Sequence, residues 1–401
     1  MNFARALTRN STLAGVESAA IGRDYKARIA RNRTLISGSI ELTYRCNLHC
    51  THCYCPPSER SEELSTSEII DVIDEMVSMG CLFLLLTGGD PLLRKDFPEI
   101  YRHAKQRGML VTVFTNGTLI NDRIIALWDE LPPAMVEISL YGLTREVYEQ
   151  VVAVKGSYDR CMDGIARVLA AGHPLALKCP ATTENAHEIP GLQAFAKDLG
   201  IEFRYDPAIL ATMRGEKHPH ALRLSPEQIV ALEQGDAEKD RAWSQYLGEQ
   251  RENPPEGQKL FTCGAGKNSL HVDPTGNVQV CLMVKNFRHS LRERPLREIY
   301  EQEFPKIRAI EREPDAKCSS CASRSTCHNC PGVALWETQN QQSHVEFQCS
   351  LTAVREQTYG GALDDAAPAP TGCGSCASGG GCGSSGGGCG SGTLLQIGGI
   401  G

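Results

Sequence analysis

Short apolar runs alternate with helical stretches along the first half of the chain, beginning at residue 36. Each run is rich in β-branched or aromatic residues, and each helical stretch is bounded by capping residues or glycine. The pattern occurs six times. The predicted strands are Ile36–Tyr44, Leu82–Thr87, Leu110–Thr115, Met135–Tyr141, Pro174–Pro180 and Ile201–Asp206.

The first helical stretch shows how clearly the boundaries are marked. Ser65 and Glu68 have the spacing of a capping box, and Gly80 supplies a stop signal. Between them an apolar stripe with helical spacing predicts one buried face, formed by Ile69, Ile70, Ile73, Met76 and Val77.

Alternating strands and helices predict an α/β fold, with a parallel sheet and helices packed outside it. Six units are too few for an eight-unit barrel, so an open partial barrel and a doubly wound sheet both remain. In either fold the active site lies at the carboxyl ends of the strands. Unusual residues stand there, namely Cys46, Gly88-Gly89-Asp90-Pro91, Asn116-Gly117, Ser139 and Asp206-Pro207.

The remaining segments predict the domain organisation. An Arg-rich, weakly structured extension (1–35) precedes the α/β region (36–233), and a polar linker region (234–258) leads to a cysteine-rich domain (259–355). The tail (356–401) is rich in Gly, Ser and Cys and uncharged beyond Asp365, so it cannot bury a core and is expected to be disordered when free.

Charge and composition exclude several classes of protein. The 401 residues carry a net charge of −7, which leaves no overall basic field for nucleic acid. There is no apolar run of membrane-spanning length and no secretory signal, so we expect a cytoplasmic protein without a membrane partner. In that compartment thiols stay reduced, and the 18 cysteines therefore indicate metal or iron-sulfur ligation.

Cys46, Cys50 and Cys53 place three thiolates within eight residues, on the loop that leaves the first strand. Three protein ligands on a 4Fe-4S cluster leave one iron open to a substrate or cofactor. A zinc site completed by His49 or His52 has the same local spacing. Cys55 is a spare ligand or, more simply, a bystander.

The loop from Cys46 to Tyr54 resembles the cluster-binding motif of the radical S-adenosylmethionine (SAM) superfamily. Residues 88–91 resemble the glycine-rich SAM-binding motif of that family, at the end of its second strand. The family usually has Glu where this chain has Asp90, which keeps the carboxylate but shortens its reach. For the fold, the resemblance implies a partial (β/α)6 TIM-like barrel.

The resemblance also implies the chemistry and the contacts. The open iron would bind SAM, and one electron would cleave SAM to a 5'-deoxyadenosyl radical that abstracts a hydrogen atom from the substrate. The implied cofactor contacts are His52, Gly88, Gly89, Asp90, Pro91, Asn116 and Ser139. Asp206 is a candidate catalytic proton acceptor, although a capping or salt-bridging Asp is as reasonable.

Seven further cysteines lie between residues 263 and 349, too many for one cluster; two zinc sites are the alternative to iron-sulfur clusters. Their segment resembles a SPASM domain, the auxiliary-cluster module of radical SAM maturases. The resemblance assigns Cys318, Cys321, Cys327 and Cys349 to an outer cluster, and Cys263, Cys281 and Cys330 to an inner one. Only two residues separate Cys327 from Cys330, a variant of haem-pathway members. No eighth cysteine is evident, so the inner cluster has an open iron or another ligand.

The function implied is that of a radical SAM/SPASM maturase that modifies a ribosomally synthesised peptide or a protein side chain, by forming a thioether or another crosslink. The alternatives are a sulfatase-type (formylglycine) maturase, a haem-precursor decarboxylase and, outside enzymes, an iron-sulfur electron-transfer protein. An electron donor such as flavodoxin or ferredoxin is expected. No segment is left for a separate leader-binding domain, so the N-terminal extension or a partner protein would bind a leader.

Overall fold

Six parallel strands in chain order form the centre of the fold. The structure is a computed structural model that describes residues 28–29, 31–55, 63–252 and 257–360. Most of the predicted N-terminal extension and residues 361–401 of the tail lie outside these ranges. The strands are β1 (Ser37–Glu41), β2 (Phe83–Thr87), β3 (Leu110–Thr115), β4 (Met135–Ser139), β5 (Leu175–Pro180) and β6 (Glu202–Asp206).

These strands confirm the predicted α/β fold and its partial (β/α)6 barrel. Each pairs in parallel with its neighbour along the chain, so that their carboxyl ends share one rim. β3 has the predicted limits, and the others differ by a few residues. The largest difference is in β1, where the chain leaves the strand after Glu41 and turns into the loop that carries Cys46.

Helices cover the outer face of the sheet. Their apolar sides and the helix-facing strand residues form the main core, in which Phe97, Tyr101, Trp128 and Tyr148 are the largest buried side chains. The helices of this region are α1 (Thr66–Ser78), α2 (Phe97–Gln106), α3 (Asp122–Glu130), α4 (Arg145–Val152), α5 (Ser157–Ala170), α6 (Ile189–Asp198) and α7 (Pro226–Gln234).

Helix α1 begins as predicted and buries almost the predicted face. Ser65 and Glu68 form both hydrogen bonds of a capping box. Ile69, Ile73 and Met76 are buried with Val72, a position that the predicted stripe omitted, while the other two members of the stripe are only half-buried.

The predicted linker region contains a helix, α8 (Ala237–Glu252). The sequence there is polar, but it is made of good helix formers and reaches proline only at Pro254. Leu247 is buried, and the Trp243 and Tyr246 rings pack edge to face. The segment therefore contains a helix that the sequence analysis did not predict, and its assignment as a linker region stays a prediction.

The cysteine-rich segment extends the barrel sheet rather than standing apart from it. Its first strand, β7 (Ser269–Val272), pairs in parallel with β1, and the antiparallel strands β8 (Asn277–Gln279) and β9 (His289–Ser290) follow. Among the described residues the sheet thus has nine strands in the order β6-β5-β4-β3-β2-β1-β7-β8-β9. The remaining helices are α9 (Leu296–Ala309), α10 (Pro331–Thr338) and α11 (Glu346–Tyr359). None of the helices in the described ranges has the length and apolarity needed to span a membrane.

Candidate active site

The cysteine loop after β1 is anchored on two sides. The backbone N–H groups of His49 and Thr51 donate to the carbonyls of Val152 and Val151, at 3.0 Å each, at the end of α4. On the opposite side the loop meets the turn after β2. Because each anchor is a backbone group of a helix or strand end, the positions of the cysteines are set by the barrel itself.

The three thiols of this loop lie close enough to influence one another. Burial raises the pKa of Cys46 to about 11, and the nearby Cys53 acts in the same direction. Burial also raises the pKa of Cys50, reinforced by the charges of Cys53 and Cys46. A hydrogen bond with Cys55 lowers the pKa of Cys53 to about 7. The loop therefore gathers sulfur ligands without supplying a cation to balance them.

Gly88 and Gly89 make room for the cysteine loop. A Cβ atom on Gly88 would lie 2.2 Å from the Thr43 carbonyl oxygen, and one on Gly89 would lie 2.4 Å from that of Arg45. Gly88 also has a φ of +141°, which favours glycine. Two hydrogen bonds join the segments: Gly89 N–H donates to the Thr43 carbonyl at 2.7 Å, and Asp90 N–H donates to the Arg45 carbonyl at 2.9 Å. The sequence analysis gave these glycines as contacts of SAM and did not predict that they pack against the cysteine loop.

Asp90 is completely buried and ties two strand ends together. Its carboxylate accepts hydrogen bonds from Leu92 N–H at 2.9 Å, the Thr115 hydroxyl at 2.7 Å and Asn116 N–H at 2.8 Å. Burial raises its pKa, and these three donors act against that shift. The buried Pro91 opens the short 3-10 turn that Asp90 caps. Asp90, which stands where the family usually has the longer Glu, therefore holds the ends of β2 and β3 together.

Asn116, after β3, braces the first cysteine. Its Nδ2 donates to Asn47 at 2.9 Å and lies 3.6 Å from Cys46 Sγ. Its Oδ1 accepts from the backbone and hydroxyl of Thr118. The side chain is therefore fixed next to the cysteine loop.

Ser139 and His52 meet around Tyr141, a residue that the sequence analysis did not select. Burial raises the pKa of the Tyr141 phenol; the charge of Cys50 adds to that shift, and Ser139 acts against it. The rings of Tyr141 and His52 lie 5.3 Å apart. Among the described residues, the buried Nδ1 of His52 has no hydrogen-bond partner. An aromatic residue two positions after a rim serine was the available signal for Tyr141.

Asp206 lies on the same rim, at the far edge of the sheet from the cysteine-rich segment. Its Oδ1 accepts from Ala208 N–H at 2.8 Å, the geometry of a turn cap. Burial raises its pKa, while Lys239 and Arg204 oppose that rise. The structure thus shows the turn cap, and the role of proton acceptor stays a prediction.

The predicted inner set of auxiliary cysteines comes together. Cys281 lies near both Cys330 and Cys263, and burial with these two charges raises its pKa to about 12. Cys263 is exposed, and Arg308 donates to its carbonyl at 2.7 Å.

Members of the predicted outer set lie around Arg312. The charges of Cys318 and Cys327 act on its guanidinium. Cys321 begins a short 3-10 turn, and Cys349 lies in the first turns of α11. Within the described ranges, no three His, Cys, Asp or Glu side chains are gathered around a point that could hold a single metal ion. A four-iron cluster is larger than one ion and takes its ligands from further apart.

A buried polar network joins β1 to β7 beneath the cysteine loop. Ser39 Oγ lies 2.8 Å from His271 Nδ1, and His271 Nε2 lies 3.1 Å from Glu41 Oε2. Lys285, shortly after Cys281 in the chain, is 3.9 Å from Glu41 and donates to the Tyr44 hydroxyl at 3.3 Å. The network connects the loop after β1 with the C-terminal cysteine-rich segment, and no local sequence motif predicted it.

The donor set fits iron-sulfur ligation. The Cys46–Cys53 loop offers three thiols, and burial raises the pKa of two of them, Cys46 and Cys50. Bound iron would favour the thiolate forms. Thiolates of neighbouring cysteines are the ligands that hold such a cluster.

Comparison with known proteins gives matches along most of the described chain. Residues 40–193 match the sequence model of the Radical SAM superfamily, and residues 263–331 match that of SPASM, an iron-sulfur cluster-binding domain. The chain is 28% identical over 320 residues to the AdoMet-dependent heme synthase of Methanosarcina barkeri, covering 74% of this chain and 91% of the relative.

Two further proteins are similar over greater lengths. The PqqA peptide cyclase of Xanthomonas oryzae pv. oryzae is 27% identical over 370 residues, covering 84% of this chain and 93% of the relative. The crystal structure of Streptococcus suis SuiB bound to precursor peptide SuiA has a TM-score of 0.61 at 16% identity, covering 86% of each chain. At that identity the structural likeness concerns the fold.

Proposed function

Because this chain belongs to the radical SAM superfamily and carries a SPASM domain, we propose that it is a maturase of a ribosomally synthesised peptide or of a protein side chain. Its cofactors are SAM and iron-sulfur clusters. The observation that carries the proposal is the presence of both matched domains in one continuous sheet, with a cysteine loop braced at the strand rim.

In this proposal Cys46, Cys50 and Cys53 hold the SAM-binding cluster. When bound, the cluster and SAM supply a carbon-centred radical that removes hydrogen from an unactivated position. Asn116 keeps the first cysteine in place, and the buried Asp90 keeps the strand ends that carry Asn116 in register. Such second-layer contacts fix the orientation of ligands.

The other proposed SAM contacts are Gly88, Gly89, Pro91, Ser139 and His52. His52, whose Nδ1 has no hydrogen-bond partner among the described residues, packs against the Tyr141 ring, where a bound nucleoside would find a polar group and an aromatic face. Asp206 is proposed to accept the proton released when the substrate radical is oxidised. Its place at the carboxyl end of β6 and the burial that raises its pKa support this role.

The auxiliary clusters are proposed to use Cys263, Cys281 and Cys330 for the inner cluster, and Cys318, Cys321, Cys327 and Cys349 for the outer one. The mutual effects of the first three thiols support the inner set. Arg308 beside the exposed Cys263 would suit an acidic electron donor such as flavodoxin or ferredoxin. A leader-binding partner protein and a cytoplasmic location, where thiols stay reduced, belong to the same proposal.

The peptide interpretation is supported by a relative named PqqA peptide cyclase and by the similar structure of SuiB, which is bound to its precursor peptide. A second candidate is decarboxylation of a haem precursor. It is favoured by the two-residue spacing of Cys327 and Cys330 and by the 28% identity to a heme synthase.

The test is anaerobic reconstitution with iron and sulfide, followed by addition of SAM and a reductant. We expect 5'-deoxyadenosine from the wild type and none from Cys50→Ala. The matched control is Cys81→Ala, at a buried cysteine just before β2 whose thiol donates to the Phe83 carbonyl at 3.4 Å. An iron-loaded wild type that forms no 5'-deoxyadenosine would indicate an electron carrier instead.

The substrate class is tested in the same preparation. A peptide encoded next to this gene should lose two hydrogens for each crosslink formed, as measured by mass spectrometry. A change in the absorbance of an added iron tetrapyrrole, with no change in the peptide, would favour the haem-precursor reaction.

A further inference from the structure

A charged cluster lies on the inner face of β3 to β6, away from the proposed cluster ligands. It consists of Phe114, Glu137, Lys178 and Arg204, one residue from each strand, and is called the inner charged cluster below. The Lys178 ammonium lies 3.4 Å from the centroid of the Phe114 ring, and the Arg204 guanidinium carbon lies 5.4 Å from it.

The ion pairing in this cluster leaves a surplus positive charge. Arg204 donates to Glu137 at 2.5 Å, which neutralises that pair. Lys178 is only 7% exposed, and its ammonium has no hydrogen-bond or ion-pair partner in the described part of the chain. An aromatic face stabilises a cation only weakly compared with the cost of removing it from water.

The environment of Lys178 reflects this imbalance. Burial lowers its pKa to about 7; Glu137 acts against the shift, and Arg204 adds to it. An anion bound beside the ammonium would supply the missing charge and restore its protonated form.

The position of Lys178 points to the substrate. In the sheet it pairs with Ser139 on β4 and with Arg204 on β6. It therefore stands at the level of a proposed SAM contact, but four strands from β1, which leads into the cysteine loop. A group held there would lie beside Ser139 and away from the strand that leads into the cysteine loop.

We propose that Lys178, supported by Phe114 and Arg204, binds a carboxylate of the substrate and so positions the substrate for hydrogen abstraction. This inference rests on the proposed function. A peptide would present either an acidic side chain or its terminal carboxylate. The carboxylate of SAM is the other source of the same chemistry, and the experiment separates the two.

The experiment measures the rate at which acetic anhydride acetylates Lys178 in the full-length, anaerobically reconstituted protein at pH 8, followed by peptide mass spectrometry. The probes are glutarate and its neutral isostere glutaramide. A neighbouring carboxylate that raises the pKa of an amine from about 7 to about 9 lowers its free-base fraction at pH 8 about tenfold. We therefore expect about tenfold slower acetylation with glutarate and no change with glutaramide.

Lys239 is an internal control in the same digest. It also stacks on an aromatic ring, 3.3 Å from the centroid of Tyr205, but its ammonium already donates to the Tyr205 carbonyl at 3.0 Å. Its acetylation should not respond to either probe. Glu137→Gln removes the resident anion, so this variant should reach half-protection of Lys178 at a lower glutarate concentration.

Several outcomes overturn the inference. These are equal effects of glutarate and glutaramide, no protection by glutarate, or a Lys178 that is never acetylated because solution reagents do not reach it. Protection by SAM alone to the full extent assigns the site to the cofactor instead. Formation of 5'-deoxyadenosine in the same wild-type preparation tests the proposed function separately, and the wild-type data decide even if Glu137→Gln does not fold.

Discussion

Substitution of Gly89 by alanine should release the cysteine loop from the barrel rim. The new Cβ would lie 2.4 Å from the Arg45 carbonyl oxygen and 2.5 Å from that of Tyr44, both backbone atoms. Ordinary contact begins near 3.4 Å, so the loop must retreat by about 1 Å. The hydrogen bonds of 2.7 Å to Thr43 and 2.9 Å to Arg45 would then exceed hydrogen-bonding distance.

The energetic effect follows from these contacts. Overpacking costs about 1–3 kcal/mol, and two lost backbone hydrogen bonds add about 0.5–1.5 kcal/mol each. We expect Gly89→Ala to lower the thermal midpoint and to retain less iron per chain after anaerobic reconstitution, because Cys46 moves with the loop.

The matched control is Gly248→Ala, at an exposed site in α8 where an added Cβ meets nothing within 4 Å. There alanine should be neutral or stabilising by up to about 1 kcal/mol, since it favours the helix. If Gly89→Ala kept the iron content and thermal midpoint of this control, the proposed bracing of the cysteine loop would be wrong.

Three further predictions concern Asp90, Asp96 and the metal. Asp90→Asn should lower the free energy of unfolding by about 1–3 kcal/mol and reduce iron retention. An amide has only one oxygen, so its NH₂ group would face at least one of the three donors, Leu92 N–H, the Thr115 hydroxyl and Asn116 N–H. Unchanged stability would contradict this three-donor site. Although burial acts against it, hydrogen bonds from Arg94 and Thr66 lower the pKa of Asp96 from 3.8 to about 2. The stabilisation by ionised Asp96 is therefore present above about pH 4 and lost as the pH falls toward 2. In urea unfolding of the apoprotein, Asp96→Asn should have a lower free energy of unfolding than the wild type at neutral pH, and the two values should converge in acid. A difference in unfolding free energy that stays constant with pH would refute this. Removing iron with an anaerobic chelator should lower the thermal midpoint, because a group that binds only the folded state stabilises it, and an unaltered midpoint would count against structural ligation.

The strands and the rim were predictable from the sequence because each signal is local. A buried parallel strand shows as an apolar run, and Ser65 with Glu68 marks a helix start within four residues. The cysteines and Gly88–Pro91 were identified in the same way. Where α8 was missed, the local signal was present, but polarity was given more weight than helix propensity.

Contacts between distant segments were not predictable in this way. β7 has four residues, and nothing in Ser269–Val272 says that its partner is β1. The roles of Tyr141 and Lys178 also depend on neighbours from other strands. Asp90 was identified from its motif, but only the three donors around it explain why a carboxylate lies there.

The parallel pairing of β7 with β1 limits how this protein can be cut or recombined. A truncation after α8 would remove β7 and leave β1 as an edge strand with exposed backbone donors and acceptors beside the cysteine loop. The buried His271 would be lost with it, leaving Glu41 as an uncompensated charge in the barrel. A chimaera that exchanges only the C-terminal half therefore has to carry a compatible β7, because the two halves share one sheet and are not independent modules.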